Sequence, residues 1–181
     1  MSICVGIDPG ITGGVAVLYT TRGRAVVDTV SLYDTPVEQK KKSNGKNKTD
    51  YLPSQMAGIL SDHVSGQQDV HAFIEQVSAM PGQGVTSMFG FGKGYGIWIG
   101  ILAALGVPYT FVTPQRWKKE LMQGEHDKEA SVGRALQLYP QCSAELTVRR
   151  GAVTKPQALG RADALLIAHY GLRSFMKVYN E

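Results

Sequence analysis

The sequence predicts an α/β fold built on a mixed five-stranded sheet, three antiparallel strands plus two parallel ones, flanked by helices. Three observations carry this. Two short apolar runs, residues 3–7 and 70–74, each end on an acid, Asp8 and Glu75. The first run is followed by two more strand-like runs separated by tight turns, which makes an antiparallel meander. From Pro53 onward, helical stretches alternate with strands, the pattern of a sheet with helices packed on it.

Residues 3–8 are apolar and partly β-branched, the profile of a buried strand. Residues 9–14, Pro-Gly-Ile-Thr-Gly-Gly, are turn chemistry, and 15–19 resume as a second strand. Arg22-Gly23 turns the chain into a third strand over 25–32. Residues 38–49 hold Lys40, Lys41, Lys42, Lys46 and Lys48 among Ser, Asn and Gly, and are expected to be a mobile basic loop. Pro53 starts a helix to residue 64 with apolar Met56, Ile59, Leu60 and Val64. The strand at 70–75 follows. Residues 78–95 are rich in Gly, Met and aromatics, and a buried helix is expected at 96–105. A fifth strand spans 108–112. Thr113-Pro114 caps a helix at 115–122, and further helices are expected at 127–138 and 160–176. No internal repeat is visible.

With 181 residues, 43% of them hydrophobic, the chain suits one domain with a substantial core. Lys and Arg exceed Asp and Glu by 19 to 15, a net charge of +4 and a pI near 9.1. This modest excess suits a nucleic-acid partner without proving one. Cys4 and Cys142 are too few and too scattered for a disulfide framework or a zinc site, which points to a reducing compartment. Strand-like sequence already begins at Ile3, where a leader would stand. The apolar stretch 97–105 is broken by Gly100 and falls well short of the about 20 residues needed to span a bilayer. A soluble intracellular protein, with no membrane contact and no small-molecule cofactor, is expected.

The acids carry the chemistry. Asp8, followed by Pro-Gly, puts a carboxylate at the rim of the sheet, and Glu75 repeats the arrangement. Burying either charge alone is costly, and a shared cation is one remedy. Asp163 lies on or beside the apolar side of a helix, among Ala162, Leu165, Leu166 and Ala168. It has two readings: a third metal ligand, or a carboxylate held in a first helical turn by the helix dipole. Converging carboxylates suit Mg²⁺, which takes oxygen ligands and keeps several waters. A pair of such ions about 3.5–4 Å apart can activate a water and stabilise the leaving oxygen of a phosphodiester. His63, His71, His126 and His169 are scattered and offer no zinc spacing.

These residues resemble a known family. Gly6-Ile7-Asp8-Pro9-Gly10 with Gly13-Gly14, Ile74-Glu75-Gln76, and Gly160-Arg161-Ala162-Asp163-Ala164-Leu165 are similar to the three acidic motifs of RuvC-type Holliday junction resolvases, members of the RNase H-like superfamily. The stretch from Phe89 to Gly100, Thr113-Pro114-Gln115-Arg116-Trp117-Lys118, and Asp127-Lys128-Glu129-Ala130-Ser131 resemble the phage and chloroplast branch. The likeness runs in order over nearly the whole chain. It implies an RNase H-like fold and a homodimer on a four-way DNA junction. Two strands of like polarity would be nicked symmetrically, leaving 5′-phosphate and 3′-hydroxyl ends. Asp8, Glu75 and Asp163 would be catalytic and hold Mg²⁺, with Mn²⁺ able to substitute. One departure stands out: where the family carries a fourth acid or a histidine, this chain has Ala158, Leu159 and Gly160.

Arg116, Lys118 and Lys119 on one helix, and Arg149 and Arg150 before the last, are candidate phosphate contacts. Met80, Phe89, Phe91 and Tyr95 are candidates for stacking on unpaired bases, with core or dimer packing as the competing reading. The glycines at 90, 92, 94 and 96 lack the spacing of a phosphate loop, and Gly96 with Gly100 suits close helix packing. Three other functions compete with the resolvase. An actin- or hexokinase-like phosphotransferase would need a duplicated domain, for which this chain is too short. A junction-binding protein with little cleavage, and a related nuclease acting on hybrids or flaps, stay open.

Overall fold

Alternation along the first strand decides what lies on each side of the sheet. The computed structural model describes the chain except residues 22–25, 42–44, 46, 77, 79–81, 83, 123, 125–128 and 180–181, and the side chains of 175–179. Its strands are β1 (Ser2–Asp8), β2 (Gly14–Thr20), β3 (Val27–Asp34), β4 (Val37–Lys41), β5 (Asn47–Tyr51), β6 (Val70–Glu75) and β7 (Tyr109–Val112). Five of them form one sheet in the order β3-β2-β1-β6-β7. Pairs β1–β2 and β2–β3 are antiparallel, and β1–β6 and β6–β7 are parallel. The mixed five-stranded sheet expected from the sequence is the one observed.

The helices are α1 (Pro53–Val64), α2 (Val85–Ala104), α3 (Pro114–Leu121), α4 (Ala130–Leu138), α5 (Ser143–Leu146) and α6 (Lys155–Tyr179), with a 3₁₀ turn at Pro140–Cys142. Ile3, Val5 and Ile7 of β1 pack with Met56 and Leu60 of α1 and Trp98 and Leu102 of α2. Cys4, Ala16, Leu18 and Phe73 face the other way, into a core closed by Trp117, Leu146, Leu165 and Leu166. Both cysteines are buried and free.

Helix α6 lies flush on the centre of the sheet because small residues meet there. A methyl group placed on Gly6 would stand 2.1 Å from the Ala164 carbonyl oxygen and 2.4 Å from the Ala168 nitrogen. The Phe73 ring likewise fills the space a side chain on Gly171 would need, 2.1 Å from its Cβ position. Gly6→Ala therefore forces backbone apart, not a side chain. We expect a loss of about 3 kcal/mol, at the upper end of overpacking costs, read as a lower melting temperature. A variant melting with the wild type would show that α6 is free to lift.

Four expectations change. The segment 38–49, read as a mobile loop, instead contributes to a hairpin, with β4 and β5 in register from Val37 opposite Tyr51 to Lys41 opposite Asn47. Lys40 and Lys48 stand directly opposite each other, and the repulsion is relieved by Glu38, 2.5 Å from Lys40, and Asp50, 3.6 Å from Lys48. Cross-strand pairs of this kind stabilise a ladder that a count of lysines does not reveal. The helix expected at 96–105 begins eleven residues earlier, at Val85, so the glycine-rich segment is largely helical. Each glycine costs a helix about 1 kcal/mol against alanine. Packing accounts for one of them, since the Tyr51 ring occupies the place of a side chain on Gly94, 2.3 Å from its Cβ position.

The last helix starts at Lys155, not at residue 160. Asp163 therefore lies in its third turn, and the first-turn dipole reading is withdrawn. The third strand runs two residues later than expected, to Asp34. Among the described residues no helix is long and apolar enough to cross a membrane.

Candidate functional site

Parity places the two strand acids. Asp8 has the same side of β1 as Cys4, and Glu75 the same side of β6 as Phe73, so both face α6. The parallel register joins Ile7 to Ile74, and the acids follow at the next position on neighbouring strands. Asp163 reaches the same place from above, because the close contact at Gly6 and Ala164 seats α6 over β1.

The turn after β1 is shaped around Asp8. The Gly10 N–H donates to Asp8 Oδ1 at 3.1 Å, and the Gly13 N–H donates to the Gly10 carbonyl at 2.9 Å. This is an Asx-type turn, with the side chain imitating backbone. Gly13 must be glycine, since a Cβ would lie 2.2 Å from the Asp8 carbonyl oxygen and 2.9 Å from its carboxyl carbon. Glu75 is held differently: Trp117 Nε1 donates to Glu75 Oε1 at 2.9 Å. Trp117 is fully buried on α3, which aims the next residue, Lys118, along the cleft. Lys118 Nζ also rides over the Trp117 ring, 5.1 Å from its centre.

The cleft measures about 420 Å³ and is lined by Asp8, Thr12, Lys118, Ser131, Lys155, Pro156, Leu159, Gly160 and Asp163. Burial, then the charges of Glu75 and Asp163, push the Asp8 carboxyl up to about 7, against the Gly10 N–H and Lys118. Glu75 is also raised, by burial first and by Asp163, against the Trp117 hydrogen bond and Lys118. Such mutual opposition among acids is a recurrent mark of functional sites. An all-oxygen set of three carboxylates that repel one another is suited to Mg²⁺. Among the described residues no group of three or more Asp, Glu, His or Cys side chains stands close enough together to hold a metal ion as placed.

At the positions where the resemblance implies a fourth ligand, Ala158 is buried and Gly160 has no room for a side chain: a Cβ there would lie 2.1 Å from the Thr12 carbonyl oxygen. Lys155, Ser131 and Thr12 were not singled out from the sequence. Ser131 ends one of the stretches that carry the resemblance, but only the folding of α4 and α6 toward the cleft shows that it and Lys155 line the site. Lys155 forms an ion pair with Glu129 at the cleft edge.

The candidate DNA contacts divide. Lys118 lines the cleft, whereas Arg116 and Lys119 are exposed on the same helix outside it. Arg149 and Arg150 are exposed at a tight turn bridged between Arg149 and Val153 and do not line the cleft. Phe89 is 78% exposed. Phe91 is half-buried, with its Cε2 3.7 Å from the point a Gly10 Cβ would occupy, which sets it beside the Asp8 turn. Tyr95 is half-buried and packs against Phe111, itself 40% exposed, with ring centres 5.7 Å apart. Met80, His126, Asp127 and Lys128 lie outside the described residues. The other three histidines engage side-chain hydroxyls: His63 with Tyr19 and Tyr33, His71 with Thr110, and His169 with Tyr139.

No protein-family model matches the sequence, and neither does any curated protein. Solved structures do match in shape. A Thermus thermophilus RuvC in complex with a Holliday junction substrate superposes with a TM-score of 0.59 at 17% identity, covering 98% of this chain and 97% of that one. A second Thermus thermophilus RuvC structure gives a TM-score of 0.56 at 16% identity, over 97% and 96% of the two chains. Over nearly its whole length the chain has the RuvC-type, RNase H-like fold.

Proposed function

We propose that this protein is a metal-dependent, structure-selective DNA endonuclease that resolves four-way junctions. One observation carries the reading: two acids ending neighbouring parallel strands face a third acid on the helix above them. The structure of a RuvC with a Holliday junction substrate supports the choice of DNA form. Asp8, Glu75 and Asp163 would hold Mg²⁺, or Mn²⁺ in its place. When bound, the ion supplies an activated water and charge stabilisation for the leaving 3′-oxygen of an in-line displacement.

The chain's own residues do the rest. Gly10 and Trp117 fix one oxygen each of Asp8 and Glu75, so both carboxylates keep their orientation. Lys118, on the cleft wall, can neutralise a strand phosphate and draw the backbone toward the acids. The products would be 5′-phosphate and 3′-hydroxyl ends. Symmetric paired nicks need two copies, and α2 supports such an assembly. Of its twenty residues only Gly94, Trp98 and Leu102 are buried, while Gly92, Gly96 and Gly100 have open space where a side chain would stand. Sedimentation should therefore give a dimer, and a strict monomer would undermine the paired-nick reading.

The test is cleavage of a synthetic four-way junction with Mg²⁺ beside linear duplex and hybrid controls. Symmetric, junction-selective nicks are expected. The closed fourth-ligand position favours a second reading, a junction binder with little cleavage, which would show tight binding and no nicks at any Mg²⁺ or Mn²⁺ concentration. Lys118→Ala should weaken binding and flatten its salt dependence, with a slope lower by roughly 0.9 if one phosphate contact is lost. An unchanged slope would return Lys118 to the solvated surface.

A further inference from the structure

A second cleft, of about 410 Å³, adjoins the first: Thr12 and Pro156 line both. The two differ in charge. The first is lined by two lysines, Lys118 and Lys155, as well as by Asp8 and Asp163. The second has no lysine or arginine among its lining residues, and its single acid, Asp34, is already occupied. Arg161 Nε and Nη2 grip the two oxygens of Asp34 at 2.7 Å each, and Gln157 Nε2 donates to it at 2.7 Å. Gln157 is fixed in turn, its Oε1 accepting from the Thr154 backbone N–H at 2.9 Å and hydroxyl at 2.8 Å. The charge of Asp34 is therefore satisfied within the wall, whose remaining lining mixes polar groups with Ile11, Pro36, Val37 and Pro156.

One polar group in this cleft is left over. Thr35 is 4% exposed, and its Oγ1 has no hydrogen-bond partner among the described residues. Its backbone is tied to the turn below, the N–H donating to the Gly13 carbonyl at 3.0 Å. Buried hydroxyls without partners are rare and call for a bound water or a ligand. A hydroxyl both donates and accepts, and the Gln55 carboxamide, exposed on the opposite wall, does the same.

We propose that this second cleft receives the nucleobase of the nucleotide next to the scissile phosphate, with Thr35 and Gln55 reading its polar edge. A phosphate is drawn to the lysines of the first cleft. A neutral ring with donors and acceptors suits the second. The shared Thr12–Pro156 ridge is where sugar and backbone would pass from one to the other. The inference rests on the endonuclease reading and gives it a base preference at the cut, set by residues that do not touch the reacting phosphate.

The test uses the full-length protein on a set of four-way junctions differing only in the base pair flanking the nick. Both nicking with Mg²⁺ and equilibrium binding without metal are measured. Wild type should rank the bases with a spread of roughly tenfold or more, the discrimination one good polar contact to a base provides. Thr35→Val keeps the shape and removes the hydroxyl, and should collapse the spread to about twofold while melting no lower than wild type. Gln55→Ala should narrow it too, and Thr35→Ser should keep it. A wild type without preference, or a Thr35→Val variant that ranks bases as before, overturns the proposal and leaves the hydroxyl to a water. Selective binding that Thr35→Val abolishes, without nicking in any protein, would uphold the base pocket and sink the endonuclease reading instead.

Discussion

Asp8→Asn should abolish junction nicking, by at least about a thousandfold or roughly 4 kcal/mol in the barrier, while junction binding is kept. Asparagine has the same shape but carries no charge, so it cannot share a cation with Glu75 and Asp163. The same change should stabilise the metal-free protein at neutral and alkaline pH. In the native fold the Asp8 carboxyl is raised to about 7 by burial and by the charges of Glu75 and Asp163. A carboxyl raised on folding takes up protons as the chain folds. Its penalty is absent below the ordinary carboxylate range near pH 4, grows as pH rises toward 7, and is complete above it.

Asp8→Asn should therefore melt with the wild type at pH 4 and above it at pH 8, by on the order of a few kcal/mol. Added Mg²⁺ should narrow the gap, since it would favour the protein that has the charge. At a hundred times its dissociation constant it would add about 2.7 kcal/mol to the wild type and nothing to the variant. Melting curves at the two pH values, with and without Mg²⁺, check both signs. A variant that still nicks removes Asp8 from the site, and a stability difference independent of pH removes the coupling among the acids.

The strand acids were legible in the sequence because alternation and a following turn are local signals. Residues 3–8 and 70–75 carry their own burial pattern, and an acid at the end of such a run has to be explained. Asp163 was legible as a residue but not in its setting. Thr154, Pro156 and Gln157 do carry a helix-start signature, a threonine cap with a glutamine three residues on and a proline in the first turn, and a start placed at residue 160 missed the two turns that precede Asp163 in α6. The hairpin over Val37–Tyr51 was hidden for another reason: lysines dominate its composition, and only the ion pairs of Lys40 with Glu38 and Lys48 with Asp50 show how two of them are accommodated on facing strands. The tryptophan clamp on Glu75 joins residues 42 apart in the chain, and no local pattern announces such a contact.

Gly160→Asp, the substitution that would seem to restore the family's fourth ligand, should damage the protein instead. A Cβ at 160 meets the Thr12 carbonyl oxygen at 2.1 Å, the Gly13 carbonyl carbon at 2.8 Å and the Gly13 Cα at 2.9 Å, all of them backbone. The approach is mutual, because a Cβ on Gly14 would lie 3.0 Å from the Gly160 carbonyl oxygen. Backbone of this kind yields only by moving the whole turn, and this turn is tied down at three places. Gly10 donates to Asp8, Gly13 donates to Gly10, and Thr35 donates to Gly13.

Relief at 160 therefore comes at the expense of the Asp8 carboxylate's position. Gly160→Ala alone should lower stability by about 3 kcal/mol and reduce nicking with it, and Gly160→Asp should do at least as much harm. Thermal denaturation and nicking rates of the two variants, measured together, decide the matter. If Gly160→Asp melts with the wild type and binds Mg²⁺ more tightly, the turn moves aside and the fourth position is open. The expected result is that this chain has exchanged a ligand for close packing of α6 on the Asp8 turn, and that its metal chemistry runs on three carboxylates.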